Sequence, residues 1–250
     1  MLLKKWETLP GEFKNEAVRP YYDLLSKKKA SLAFKRAFDI IVSGIMLICL
    51  SWLFLILAVA IKVDSRGPVF YRQERVTQYG RVFKIFKFRT MVDGASKVGP
   101  AVTVSGDNRI TRVGAFLRKY RLDEISQLID VFRGAMTFVG TRPEAVKYVK
   151  AYTPEMYATL LMPAGVTSLT SIYYKDESAL LEKAENADKT YCEQVLPAKM
   201  FYNLKTIEDF GFFNDIKVMF MTVFAVLGKE YAAPPLPEHI TATEKEEALT

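Results

Sequence analysis

The stretch IIVSGIMLICLSWLFLILAVAI at residues 40–61 is the longest uncharged run in the chain. As one straight helix, its 22 residues would extend about 33 Å, enough to cross the hydrocarbon core of a bilayer. Its flanks are basic on both sides. Lys27, Lys28, Lys29, Lys35 and Arg36 precede it, and Lys62, Arg66, Arg72 and Arg75 follow it. Basic residues favour the cytoplasmic side of a membrane helix, so a spanning helix would strand one cluster on the far side. A helix that enters and returns on one face satisfies both. Two readings therefore stand, a single-pass anchor and a re-entrant segment, and the charge symmetry favours the second. A cleavable signal peptide does not fit, because the run is too long and begins too far from the N-terminus.

Composition narrows the function classes. The chain has 250 residues, room for one domain with a membrane segment and tails. A net charge of +7 suits an anionic partner such as lipid headgroups or nucleotide phosphates. Nucleic acid is not expected as a partner, since no recognised binding module accompanies the charge. Cys49 lies inside the apolar run and Cys192 far from it, so no disulfide is expected and a reducing cytoplasm fits. The one histidine, His239, sits in a polar tail, which leaves out histidine-based catalysis and histidine–cysteine metal sites.

The rest of the chain reads as four parts. Residues 1–33 form an extension with Trp6, Phe13, Tyr21, Tyr22, Leu24 and Leu25, either amphipathic helices on a membrane surface or a mobile tail. Residues 34–66 are the membrane segment, 67–228 a catalytic domain, and 229–250 a Pro- and Glu-rich disordered tail. Within the domain, 69–72 and 81–91 have strand-like composition, and the second alternation slips at Ile85-Phe86, which suggests a bulge or bend. Residues 92–110 read as a loop. A helix is expected at about 110–118, and another follows where Leu122, Ile125, Leu128, Ile129 and Phe132 recur at helical spacing before Gly134. Further helices are expected over 143–152 and 176–208, the latter broken near Pro197, with a turn-rich loop at 163–170. The apolar 212–227 stretch opens with Asn214, Asp215 and Lys217 and reads as interfacial or packed on the domain. The fold class is thus helix-rich α/β: a membrane helix plus a catalytic domain with a small sheet and interfacial helices.

Asp123 and Glu124 are the candidate catalytic pair. They fall in the first turn of the 122–132 helix, beside inward-facing Leu122, with Arg118 and Arg121 close upstream. A carboxylate needs no proton removed before it attacks phosphorus, so arginines beside it make it a candidate nucleophile. Repulsion between the two anions would be relieved by cations, either arginine or Mg²⁺. Lys87, Arg89, Arg112, Arg118 and Arg142 are the candidate phosphate-binding residues, since arginine grips phosphate through a planar fork. Solvated surface charges are the plainer reading of each taken singly.

These residues fall in an order that resembles a known family. Phe34-Lys35-Arg36-Ala37-Phe38-Asp39, Gly67-Pro68-Val69-Phe70 with Gln73 and Arg75, and Phe86-Lys87-Phe88-Arg89-Thr90-Met91 carry the first part of the resemblance. Arg109-Ile110-Thr111-Arg112-Val113-Gly114, Phe116-Leu117-Arg118, and Leu122-Asp123-Glu124 with Gln127-Leu128 carry the second. Phe138-Val139-Gly140-Thr141-Arg142-Pro143-Glu144, TYCEQVLPAK at 190–199 and Asp215-Ile216-Lys217 complete it. Over residues 34–228 the chain resembles the bacterial sugar transferases, the monotopic phosphoglycosyl transferases that load polyprenyl phosphate with a hexose-1-phosphate.

The resemblance implies a mechanism and a place for it. Asp123 would attack the sugar-linked phosphate of a nucleotide diphosphate sugar, by resemblance a UDP-sugar, to give an aspartyl phosphosugar. A polyprenyl phosphate would then take the sugar phosphate, initiating surface glycan assembly. Glu124 would hold Mg²⁺, Arg118 and Arg142 would contact phosphate, Lys87 and Arg89 would assist, and Pro143 with Glu144 would support the loop. The protein would sit in the bacterial inner membrane with its catalytic domain on the cytoplasmic face; a homodimer is left open. A non-catalytic membrane-surface protein whose arginines bind anionic lipid is the runner-up.

Three departures from the family pattern bear on this expectation. The usual Ser-Pro in the membrane helix is Ser51-Trp52, which removes the proline that would kink it. The usual Gly-Asp-Met-Ser is Gly134-Ala135-Met136-Thr137, and the usual Pro-Arg-Pro is Thr141-Arg142-Pro143. None of these touches the Asp-Glu pair.

Overall fold

A computed structural model of the chain describes residues 3–95, 107–173 and 186–237. Helix α1 (Arg19–Lys27) is followed by α2 (Lys29–Cys49) and α3 (Ser51–Asp64), which are bent by 61° about Leu50. No single helix among the described residues is long and apolar enough to cross a membrane. The bend needs no proline. At Leu50 ψ is 3°, well off the helical value, and the ladder restarts with Phe54 donating to the Leu50 carbonyl at 2.9 Å.

Both ends of the bent pair are tied to the same domain. Leu32, Lys35, Asp39 and Ser43 recur at helical spacing and form the buried stripe of α2. Lys35 Nζ lies 2.5 Å from Asp215, Asp39 accepts from Thr137 Oγ1 at 2.6 Å, and Arg36 donates to the Val131 and Phe132 carbonyls at 2.7 and 2.9 Å. At the far end, the Val113 amide donates to Asp64 Oδ2 at 2.9 Å, and Leu57 and Ile61 pack on Phe88 and Leu117. The other face stays apolar and exposed: Ile41, Ile45, Ile48, Trp52, Leu55, Ile56, Val59 and Val63.

Strands β1 (Phe70–Val76) and β2 (Val82–Phe88) form an antiparallel ribbon with an unbroken register from Phe70↔Phe88 to Val76↔Val82. The expected bulge at Ile85-Phe86 is absent. Instead, each face of β2 carries apolar residues along only part of its length. Ile85 is buried in the central cluster on one face, while Phe88 on the other packs against α3. Helix α4 (Arg112–Lys119) is N-capped by Thr111, whose Oγ1 accepts from the Gly114 amide at 3.0 Å. Thr111→Ala is expected to cost about 1 kcal/mol, read as a lowered melting temperature. A 3₁₀ turn (Leu122–Gln127) then leads into α5 (Leu128–Arg133), which ends at Gly134 in the left-handed conformation, φ 83°.

A second sheet pairs β3 (Met136–Val139) in parallel with β4 (Ala164–Thr167). The loop expected over 163–170 is therefore a buried strand running into α6 (Leu169–Tyr173). Gly165 permits it: a Cβ there would stand 2.3 Å from the Gly140 backbone. The helix expected over 143–152 shrinks to Val146–Val149, because the chain stays extended through Ala145 (ψ 145°). Near Pro197 the helical ladder is interrupted as expected: a π-helical turn (Tyr191–Val195) runs directly into α7 (Leu196–Glu208), and Pro197, in the first turn of α7, lacks the N–H that would continue the preceding ladder. The 176–185 part of that expected helix, residues 96–106 of the expected loop, and the tail from 238 with His239 lie outside the described residues. Helix α8 (Phe212–Val226) buries Asp215 and Val218 and exposes Phe213, Phe220, Val223 and Phe224.

The N-terminal extension packs on the domain. Phe13, Val18 and Leu25 are buried together with Leu160, Leu161, Leu196 and Met200. Lys4 lends its carbonyl to Tyr22 and its amide to Tyr79, each at 2.9 Å. The apolar face that the sequence offers to a membrane surface is spent on the protein's own core.

Candidate active site

The ribbon, the 3₁₀ turn and the β3–β4 sheet meet at Glu124. Its carboxylate accepts from Lys87 Nζ at 2.9 Å, from Arg142 Nη1 at 3.2 Å, and from Arg142 Nη2 in a closer contact. Arg142 also donates to the Val166 carbonyl at 3.3 Å, which fixes the guanidinium against β4. Burial alone would push the Glu124 carboxyl up. The two cations outweigh it and hold Glu124 ionised, well below the usual carboxylate range.

Asp123 behaves oppositely. Burial, then the neighbouring Glu124 charge, raise its carboxyl above the ordinary value, while Lys87 and Arg118 pull it back. Its Oδ1 is buried and has no hydrogen-bond partner among the described residues. Ser126 locks the turn by donating to the carbonyls of Phe86 at 3.1 Å and Asp123 at 3.2 Å, and Asp130 accepts the Phe86 amide at 2.8 Å. Two carboxylates are thus held side by side, one neutralised by cations and one with an uncommitted oxygen.

The remaining predicted residues are distributed around this pair. Arg118, in the last turn of α4, is close enough to act on the Asp123 charge. Arg112 is exposed at the opposite end of that helix. Arg89 is taken out of the expected phosphate set by its contacts: it is buried, donates to the carbonyls of Ser65 and Arg66 at 2.7 Å each, and so closes the C-terminal end of α3. Carbonyls at a helix end need donors, and Arg89 supplies them. Pro143 carries the chain from Arg142 to Glu144. Glu144 accepts from the Tyr191 hydroxyl at 2.6 Å, and Lys199 donates to that hydroxyl at 3.0 Å. Tyr191 and Lys199 fall in the TYCEQVLPAK stretch, and nothing in their spacing links them to residue 144. The Val166 carbonyl and Ser126 left no sequence signal at all.

Among the described residues no three metal-ligating side chains converge. Mg²⁺ uses one or two carboxylates and completes its shell with water and substrate phosphate, and this donor set fits that demand. Asp123 Oδ1 has no partner among the described residues, and Glu124 would serve by giving up one of the contacts it makes with Lys87 and Arg142.

Comparison with known proteins gives the class first. Residues 30–229 match the model of the bacterial sugar transferases, and the chain belongs to that family. Among its relatives are two proteins named UDP-glucose:undecaprenyl-phosphate glucose-1-phosphate transferase. The Klebsiella pneumoniae one is 36% identical over 78% of this chain and 40% of its own length. The Escherichia coli one is 34% identical over 85% of this chain and 44% of its own. The exopolysaccharide production protein PSS of Rhizobium leguminosarum is 33% identical over 78% of this chain and 96% of its own length. The chain thus spans about two fifths of the first two relatives and nearly all of the third.

Proposed function

We propose that this protein transfers a sugar-1-phosphate from a UDP-sugar to a polyprenyl phosphate, and so initiates a surface glycan. The observation that carries the reading is Asp123, with a buried free oxygen beside a Glu124 already neutralised by Lys87 and Arg142. An Asp123 oxygen attacks the sugar-linked phosphorus, the bond to the nucleoside monophosphate breaks, and UMP leaves with the bonding electrons. An oxygen of the polyprenyl phosphate then attacks the same phosphorus and releases the Asp123 carboxylate. Arg118, Arg142 and Lys87 stabilise charge on the transferring phosphate. Glu124 would hold Mg²⁺, which when bound neutralises the donor diphosphate.

The bent helices support a re-entrant anchor on the cytoplasmic face of the bacterial inner membrane. The apolar part of each arm, 40–49 and 51–61, is about 15 Å long, half of a hydrocarbon core. With both ends tied to one domain and a 61° bend between them, the arms form a shallow wedge that enters about 8 Å into one leaflet before turning back. The exposed apolar residues of α8 suit the same surface.

The test uses full-length protein in nanodiscs with Mg²⁺, undecaprenyl phosphate and a panel of UDP-sugars. UMP release that needs the lipid in multiple turnover, for one sugar of the panel, is the expected result. Failure with every donor, despite nucleotide binding, would overturn it. Lys87→Met is expected to lower kcat by about 10²-fold. It should also move the acidic limb of kcat/KM to higher pH. The sign follows from Lys87 lowering the Asp123 carboxyl: without it, Asp123 holds its proton to higher pH, so the ionised nucleophile is lost earlier as pH falls. A pH–rate profile checks this.

A further inference from the structure

Two non-glycine residues among those described adopt positive φ: Tyr79 and Arg121. Tyr79 lies in the β1–β2 turn. Arg121, at φ 56° and ψ 22°, lies two residues before Asp123, at the joint between α4 and the 3₁₀ turn. Side chains disfavour this region, so it persists only where the surroundings impose it. At Arg121 the backbone does so: its amide donates to the Arg118 carbonyl and its carbonyl accepts the Glu124 amide, both at 3.2 Å. The Arg121 side chain is exposed and makes no hydrogen bond or ion pair among the described residues. Its backbone is therefore what the site uses. The chain already leaves the helical path at Tyr120 (φ −103°, ψ 9°), and the left-handed Arg121 completes the turn into the segment that carries Asp123. The left-handed step turns the chain and leaves Asp123 Oδ1 buried and unbonded.

We propose that Arg121 is a positioning residue whose left-handed backbone aims the Asp123 carboxylate at the reacting phosphorus. This rests on Asp123 being the nucleophile. Glycine and asparagine tolerate that conformation, whereas a β-branched residue does not.

The test compares Arg121→Gly, Arg121→Asn, Arg121→Lys and Arg121→Val in the full chain, with kcat, donor KM and melting temperature read for each. Gly, Asn and Lys are expected to keep kcat within about threefold of the parent. Val is expected to lose on the order of 10²-fold in kcat at unchanged donor KM and with a folded protein, because a displaced nucleophile slows chemistry without weakening binding. A merely structural role would lower the melting temperature without that split. Retention of kcat in Val overturns the proposal. So does loss in both Gly and Asn with retention in Lys, which would assign the role to the side-chain charge; this arm decides alone if Val melts below the assay temperature. Turnover by Asp123→Asn would instead overturn the nucleophile assignment itself.

Discussion

Asp123→Asn is expected to abolish lipid-dependent UMP release, with kcat down by at least about 10⁴-fold. Asparagine keeps the shape and removes the charge, and an amide oxygen is a poor nucleophile toward phosphorus. The fold should survive the change. Burial and the Glu124 charge both disfavour the ionised Asp123 carboxylate, so a neutral group at this position relieves like-charge repulsion. A melting temperature at or above the parent value, together with lost turnover, is the expected pair of results. Single-turnover trapping with a donor labelled in the sugar-linked phosphate reads the step directly: the parent should retain label on the protein in the absence of lipid, and the variant none. Equal UMP release by both proteins would remove Asp123 as nucleophile.

Lys35→Met is expected to destabilise the protein by about 3–5 kcal/mol, because it leaves the Asp215 carboxylate buried without its cation. The pair is 2.5 Å apart, with side-chain exposures of 3% and 10%. Burial raises the Asp215 carboxyl, and Lys35 opposes that rise. Without Lys35 the folded carboxyl binds its proton more tightly than the unfolded one does. Stability of the variant therefore improves as pH falls, and the deficit should be smaller at pH 5 than at pH 8. Lys35→Met with Asp215→Leu should recover most of the loss, since replacing both partners removes the stranded charge. Thermal melts of the four proteins in one detergent form the cycle; a double variant no better than Lys35→Met would show that the pair does not act as a unit.

What could be read from the chain and what could not divide along physical lines. The paired strands, the helix before Arg121 and the left-handed stop at Gly134 follow local rules of alternation, periodicity and glycine freedom, and these are legible without neighbours. Asp123 and Glu124 stand out because two adjacent acids beside arginines demand an explanation. Strand β4 did not stand out. Its four residues include Gly165, and only the Gly140 backbone across the sheet makes that glycine fitting. Arg89 looked like Lys87 two residues earlier, yet the end of α3 claims it. Partners far apart in sequence decide both of these cases. A turn in the apolar run was legible in the basic charge on both its flanks, but its place at Leu50 was not, since no proline marks it.

The docked N-terminal extension changes where this domain can be cut. The family match begins at residue 30, yet Phe13, Val18 and Leu25 lie before it, inside the same core as Leu161 and Leu196. A recombinant boundary drawn at the family limit would expose the 3₁₀ segment Met156–Leu161 and one side of α7 to solvent. A chimera that exchanges catalytic domains between relatives must carry these residues with the domain they complete.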